Sequence, residues 1–431
     1  MKLLKIFLVF TIIFLVGCKG DVEQNDVGEP ANEEQQQVDN AIEPNGEEEE
    51  DEEEIDPLAE MLNAMSLEEK VAQLFVLELG SINNGVQLTE MNDTAAAFLG
   101  EFPIGGVIFF QNNVVNVEQT SSFIKDLQGV SDIPLFVSVD EEGGIVSRIG
   151  NNVNMNATVL PSHNQIGRTE DPEYAFKVGQ ILGRELKALG FNMNFAPVAD
   201  VNTNPNNPII GNRAFGSEPE SVAEMVASMV EGMQEEGVSA VIKHFPGHGD
   251  TSTDTHVGST YVEHDIDRLK EIEWVPFQAG IEAGVYGIMT AHIQLPNVVE
   301  NNLPATMSKD IITDLLREEL EFDGLIITDA LNMGAISNNF SMAEAAIEAI
   351  LAGCDILLMP IPFIEAYNGV LEAIENGVIT EERIDESVMR IFKVKDELGL
   401  FDEEDEKINL EEVLGSEEHK KVVEEIFEKI R

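Results

Sequence analysis

Eight short apolar runs, separated by longer stretches of helical period, constrain this chain more than any other feature. They read "AQLFVLELG" (72–80), "GGVIFF" (105–110), "PLFVSVD" (134–140), "NMNFAPVAD" (192–200), "VSAVIKHF" (238–245), "YGIMTAH" (286–292), "GLIITD" (324–329) and "CDILLMP" (354–360). Each is nearly continuous in apolar residues, the pattern of a strand buried on both faces. Between them lie amphipathic stretches such as "EPESVAEMVASMVEGMQEEG" (218–237) and "SKDIITDLLREELEF" (308–322), with proline and glycine at the breaks. Strands and helices alternating in this number predict an α/β fold, a (β/α)8 TIM-type barrel in a single catalytic domain. An open doubly wound sheet would need a phosphate-binding glycine turn after an early strand, whereas "GGVIFFQNN" carries its glycines before the strand. One boundary is blurred, because "SLEEKVAQLF" just ahead of the first run has helical spacing.

Ionisable residues close five of the runs: Asp140, Asp200, Lys243 with His244, His292 and Asp329. A single aspartate there would be ordinary, since Asp caps the helix that follows. In a barrel, however, all strands open at their carboxyl ends onto one face, and that face carries the site. The five are therefore expected to share a pocket.

The densest chemistry lies in "KHFPGHGDTSTDTH" (243–256), which holds three of the seven histidines. Asp254 and His256, two apart in a loop, can place a carboxylate against one imidazole nitrogen and leave the other for a substrate. Such a carboxylate fixes the tautomer and lets the ring give and take a proton near neutrality. Asp329 follows five uncharged residues. It reads equally as a helix N-cap or as a carboxylate able to attack an electrophilic carbon. "VDEEGGIVSRIG" (139–150) adds Asp140 and Arg148 around a glycine turn, and "GNRAFG" (211–216) adds Arg213. Fixed charges on such loops suit a hydroxyl-rich ligand. Enough histidine and aspartate is present for zinc, but the spacing matches none of the strong zinc patterns, so no metal is expected.

The amino terminus "MKLLKIFLVFTIIFLVGC" has a positive end, an apolar core and a small residue before Cys18. It reads as a signal sequence with a lipobox (1–18), in which Cys18 becomes lipidated. The apolar run, at about 11–13 residues, is short for a membrane span. Residues 19–56 carry seventeen acids against one lysine and are expected to form an acidic disordered tether. The formal net charge of −56 makes nucleic acid an unsuitable partner, since that requires clustered Lys and Arg. Cys354, inside an apolar run, reads as a buried thiol. The catalytic barrel is expected over 57–400, followed by an acidic helical tail over 401–431.

"KHFPGHGDTSTDTH", "DEEGGIVSR", "GNRAFG" and "FDGLIITDALNM" together resemble glycoside hydrolase family 3, in its β-N-acetylglucosaminidase branch, from about residue 60 to 400. The K-H-F-P-G-H-G-D…D-x-H loop is specific to that branch, and Thr255 stands where serine is common. The resemblance implies a retaining exo-hydrolase without a cofactor. In it Asp329 is the nucleophile, His256 the general acid and then base, and Asp254 the residue that orients His256. It further implies that Asp140, Arg148, Arg213, Lys243 and His244 hold the sugar, and that His248 shapes the loop without touching it. The end of the chain is similar to the segment that leads into a second domain in some relatives, so an acid/base residue from such a domain is not expected. Open alternatives are a β-glucosidase or xylosidase, a phosphorylase, and a sugar-binding lipoprotein without activity. The expected product is a monomeric, lipid-anchored enzyme on the outer face of a bacterial membrane, acting on muropeptides or chitin oligomers that contain N-acetylglucosamine.

Overall fold

The structure, a computed structural model, describes residues 56–252, 255, 258–402 and 408–431. Cys18, the signal sequence, almost all of the acidic tether, Asp254 and His256 lie outside the described residues. None of the helices among the described residues is long and apolar enough to cross a membrane.

Eight parallel strands form the barrel: β1 (Phe75–Glu78), β2 (Gly106–Phe109), β3 (Phe136–Val139), β4 (Met193–Asn194), β5 (Ser239–Phe245), β6 (Gly287–Thr290), β7 (Leu325–Ile327) and β8 (Leu357–Leu358). Neighbours in sequence pair side by side, β1 also pairs with β8, and a bridge between Ile327 and Ile356 joins β7 to β8. The sheet is thus nearly closed on itself, as the eight apolar runs predict.

Individual strands are shorter than their runs, for local reasons. Residues 72 and 73 end a helix, Leu67–Gln73, opened by the capping box of Ser66 and Glu69. That resolves the blurred first boundary in favour of helical spacing up to the edge of β1. β4 keeps only two ladder residues, because the Ala196 amide turns back to the Asn194 carbonyl at 2.8 Å, although Val198 bridges to Lys243. The helix expected over 218–237 spans Pro219–Glu235 and packs its apolar stripe on Pro172–Leu189, where Gly179 and Gly232 allow close approach.

The carboxyl-terminal residues pack onto this shell. Glu185, buried in the helix Pro172–Leu189, accepts from the Gly415 amide at 2.9 Å and lies 2.8 Å from Nδ1 of His419. Ile426 is fully buried and Lys429 pairs with Asp171 at 2.6 Å. Cys354 is a buried free thiol, and burial pushes its pKa up.

Candidate active site

At the carboxyl ends of the strands a cavity of about 350 Å3 is lined by Asp140, Glu142, Arg148, Arg213, Lys243, His244, His248, Thr255 and Asp329, with Phe110, Met289 and Met333 among the apolar members. Its wall is organised around Lys243. This side chain, 2% exposed at the end of β5, places Nζ 2.7 Å from both Asp140 Oδ1 and Glu142 Oε1. Glu142 also receives Arg213 in a two-pronged pair, Nε to Oε2 at 2.9 Å and Nη2 to Oε1 at 2.8 Å. Arg148 approaches Asp140 at 3.9 Å, with its guanidinium 6.0 Å from the Phe110 ring centroid.

Charge balance makes this arrangement tenable. Burial alone would raise the Glu142 carboxyl, but Lys243 and Arg213 overcome it and hold the group below the ordinary carboxylate range. Burial alone would likewise lower Lys243, but Asp140 and Glu142 raise it, so the ammonium stays charged. The result is a set of fixed donors and acceptors with little freedom to reorient, suited to a ligand read by its hydroxyl pattern.

Behind this wall stands Asp200, fully buried at the end of the fourth apolar run. Its Oδ2 lies 2.7 Å from His244 Nδ1, and its Oδ1 accepts from the backbone amides of His244 (3.3 Å) and His248 (2.6 Å). A carboxylate accepts only, so Nδ1 of His244 carries the proton. Asp200 therefore fixes the tautomer of a histidine that lines the cavity.

His248 stands in the same loop, beside the cavity. It lines the cavity, with Nδ1 2.7 Å from Thr251 Oγ1 and Nε2 3.4 Å from Thr255 Oγ1. Burial lowers its pKa, and His244 lowers it further. Thr255, 2% exposed, is held by its carbonyl, which accepts from the Ala335 amide at 3.0 Å. The first part of the same loop is strapped down by residues 203–207. Asn207 Nδ2 donates to the His248 and Gly249 carbonyls at 2.9 and 3.0 Å, and Thr203 Oγ1 donates to Asp250 at 3.0 Å. Asp250 in turn meets His264 Nε2 at 2.6 Å. A side chain at Gly249 would collide with the Val201 carbonyl, which explains why glycine stands there.

Asp329 sits at the cavity rim just beyond β7 and accepts from the Ala330 amide at 2.7 Å. The next helix begins only at Gly334, so Asp329 is not its N-cap.

Of the sequence-predicted site residues that are described, Asp140, Arg148, Arg213, Lys243, His244 and Asp329 all line one cavity. Asp200 and His292 do not, contrary to the expectation of a pocket shared by all five strand ends. His292 is 1% exposed and bonds Thr306 Oγ1 at 2.9 Å and the Ala330 carbonyl at 3.1 Å, so it props the segment that carries Asp329 from behind. Asp254 and His256 lie outside the described residues, and only Thr255 between them is described.

Glu142, the centre of the ion cluster, was not singled out in the sequence. The signal was present: on extended backbone, residues two apart face the same way, so Asp140 and Glu142 point together. Glu141, between them, faces the other way and accepts the amides of Arg148, Ile149 and Gly150 at 2.6, 2.8 and 3.1 Å. It thereby folds the loop that presents Arg148. Among the described residues no cluster of His, Cys, Asp and Glu is arranged to hold a metal ion.

A cavity lined by paired charges at the carboxyl face of a parallel barrel defines the class: a (β/α)8 barrel with its candidate site on the strand-end loops. Residues 66–394 match the model for the glycosyl hydrolase family 3 N-terminal domain, and the chain belongs to that family. It is 39% identical over 339 residues to β-hexosaminidase A of Pseudoalteromonas piscicida, covering 72% of this chain and 56% of that one. It is 31% identical over 348 residues to the β-N-acetylglucosaminidase/β-glucosidase of Cellulomonas fimi, covering 79% and 59%. Among solved structures, a family 3 β-N-acetylglucosaminidase from Paenibacillus sp. FPU-7 superposes with a TM-score of 0.79 at 38% identity, covering 85% of this chain and 69% of that one. The chain thus spans little more than half the length of the two curated relatives.

Proposed function

We propose that this protein is a retaining exo-β-N-acetylglucosaminidase that removes terminal non-reducing N-acetylglucosamine from muropeptides or chitin-type oligosaccharides. The observation that carries the reading is the meeting, in one cavity, of Asp329 with the Asp140–Lys243–Glu142–Arg213 cluster and with Thr255, whose chain neighbours are Asp254 and His256. In the first step an Asp329 carboxylate oxygen bonds to the anomeric carbon. The bond to the leaving oxygen breaks, and His256, oriented by Asp254, supplies the proton that oxygen takes. In the second step His256 accepts a proton from water as the water oxygen displaces Asp329, releasing the free sugar. Asp140, Arg148, Arg213, Lys243 and His244 hold the sugar's hydroxyls or its N-acetyl group. The identity of the sugar rests on the hexosaminidase relatives.

The test is an aryl β-N-acetylglucosaminide run beside the matching β-glucoside and β-xyloside, each with and without chelator and with and without phosphate. Selective, chelator-insensitive release from the N-acetyl substrate is the expected result. Preference for the glucoside would overturn the specificity, a rate that requires phosphate would make the enzyme a phosphorylase, and loss with chelator would return the histidine loop to a metal role. Tight binding without product would make it a sugar-binding lipoprotein.

The proposal extends to location. Lipidated Cys18 and the acidic tether would hold a monomeric barrel outside a bacterial membrane, where cell-wall fragments are shed. Cys18→Ser is expected to abolish incorporation of labelled fatty acid and release the protein from membranes. Unchanged membrane association would contradict the anchor.

A further inference from the structure

Arg148 lines the active cavity, yet its side chain is held only loosely. Its ion partner Asp140 stands 3.9 Å away, beyond hydrogen-bond reach, unlike Arg213, which Glu142 grips at 2.8 and 2.9 Å. The direction of the Arg148 guanidinium is therefore set by the backbone that carries it. That backbone is the loop from Glu141 to Thr158. Glu141 ties its near limb by accepting the amides of Arg148, Ile149 and Gly150.

The far limb is tied by the carboxyl-terminal segment. Glu185, 5% exposed in the helix Pro172–Leu189, meets four donors. Thr158 gives its amide at 2.9 Å and its hydroxyl at 2.6 Å, the Gly415 amide lies at 2.9 Å, and His419 Nδ1 lies at 2.8 Å. A carboxylate accepts only, so Nδ1 of His419 carries the proton. Gly415 also abuts the loop directly: its φ is +57°, and a side chain there would collide with the Asn156 carbonyl. The two limbs of the loop touch each other as well, since a side chain at Gly150 would collide with the Thr158 carbonyl. Between Glu141 and Glu185 the packing leaves a cavity of only about 10 Å3, at the lower limit for a single water. In so dense a region a displacement of Thr158 is passed on to Gly150 and Arg148.

We propose that Glu185 and His419 are positioning residues for Arg148: the segment Leu414–His419, acting through Glu185 and Thr158, holds the loop in the register that aims the guanidinium into the cavity. The proposal rests on the reading above in which Arg148 holds the sugar. Neither Glu185 nor His419 lines the cavity, so each acts through the loop. The acceptor character of Glu185 is central, because a glutamine there would turn an NH2 group toward a ring of donors.

The test uses Glu185→Gln, His419→Ala and His419→Asn, the last keeping a nitrogen donor near the place of Nδ1, with melting temperature as the check on folding. KM for the aryl β-N-acetylglucosaminide is expected to rise about tenfold in Glu185→Gln and about fivefold in His419→Ala, with kcat within about twofold of wild type, the pattern of lost uniform binding. In an Arg148→Ala background His419→Ala should add less than about twofold, because the group it positions is gone. Hydrogen exchange of the amides of residues 148–158, read by mass spectrometry, should quicken at least about tenfold in His419→Ala. His419→Asn should restore most of both effects. The exchange measurement needs no turnover, so an inactive wild type would count against the proposed function while the clamp is still read. Unchanged exchange over 148–158 would overturn the proposal. So would a KM increase as large without Arg148 as with it, which would leave His419 a purely structural tie.

Discussion

Two buried ion clusters sit at opposite ends of the barrel strands, and they are built from similar parts to different ends. At the amino-terminal end Asp355, fully buried just before β8, accepts from Arg317 (2.7 Å), Ser387 (2.8 Å), the Ile326 amide (3.0 Å) and Arg390 (3.4 Å), with Arg383 at 3.7 Å. Two of the arginines then spend their remaining donors on main-chain carbonyls, Arg317 on Phe322 and Gly324 and Arg383 on Ile350 and Cys354. The network closes on the protein itself and ties β7, β8 and the helix Glu381–Glu397 together. At the carboxyl-terminal end the Lys243–Glu142–Arg213–Asp140 cluster is just as tightly paired, yet all four side chains also line a cavity. Burial and ion pairing alone therefore do not mark a site. What separates the two is whether any polar edge is left facing open space.

The contrast is sharpest for Asp329 against Asp355. Asp329→Asn is expected to lower kcat by a factor on the order of 10^4 or more while the melting temperature stays close to wild type. Asp355→Ala should do the reverse. It leaves three guanidiniums around an empty position and should destabilise by about 3–5 kcal/mol, measured by denaturant unfolding, with kcat per folded molecule unchanged. A large loss of kcat from Asp355→Ala at temperatures where it remains folded would break the comparison.

A second contrast concerns two aspartate–histidine pairs. Asp200–His244 is formed in the structure, with Nδ1 to Oδ2 at 2.7 Å, whereas Asp254 and His256 are paired on sequence grounds. If His256 is the acid, His256→Ala should lose about 10^2–10^4-fold on substrates with poor leaving groups and far less on activated aryl glycosides. His244→Ala should weaken both substrate types equally, as a binding residue would. The opposite pattern, with leaving-group dependence at His244, would transfer the acid role to the pair seen in the cavity wall.

Smaller effects are expected at residues that support the histidine loop without touching the cavity. Loss of the Asp250–His264 contact through His264→Ala should reduce kcat by about tenfold, in line with displacement of a catalytic group from its aligned position, and His264→Asn should restore part of it. An unchanged kcat with a lowered melting temperature would reduce the pair to a purely structural role.

The last expectation concerns stability alone and is a pH dependence. Lys395 is fully buried, lies 2.9 Å from Gln73 Oε1 and 5.0 Å from the Phe136 ring, and burial lowers its pKa to about 7. Between that value and the ordinary lysine range the unfolded chain binds the extra proton, so this group makes stability rise with pH from about 7 to about 10.5. Lys395→Met should flatten that rise in unfolding curves recorded across the interval. An identical pH profile in the variant would mean the ammonium is stabilised in place.

Much of this was legible from pattern. Strands buried on both faces have to be apolar throughout, so the eight runs stood out, and strand-end charges pointed to one face. The errors have physical causes. A polar residue ending a strand can face the cavity or stand behind it, and sequence position does not distinguish Asp140, which lines the cavity, from Asp200, which orients His244. Glu142 was readable from its spacing to Asp140 but was obscured by the run of acids around it. Asp355 begins its strand, at the end where no site is expected, and its three arginines come from residues 317, 383 and 390, a long-range convergence that no local spacing reveals.

The central claim is that Asp329 forms the covalent bond. Incubating the protein with a slow fluorinated N-acetylglucosaminyl donor and digesting it for peptide mass spectrometry tests this directly. The account predicts one sugar adduct, on the peptide containing Asp329, and none in Asp329→Asn. An adduct on another carboxylate, or steady turnover with inverted product and no adduct, would contradict it.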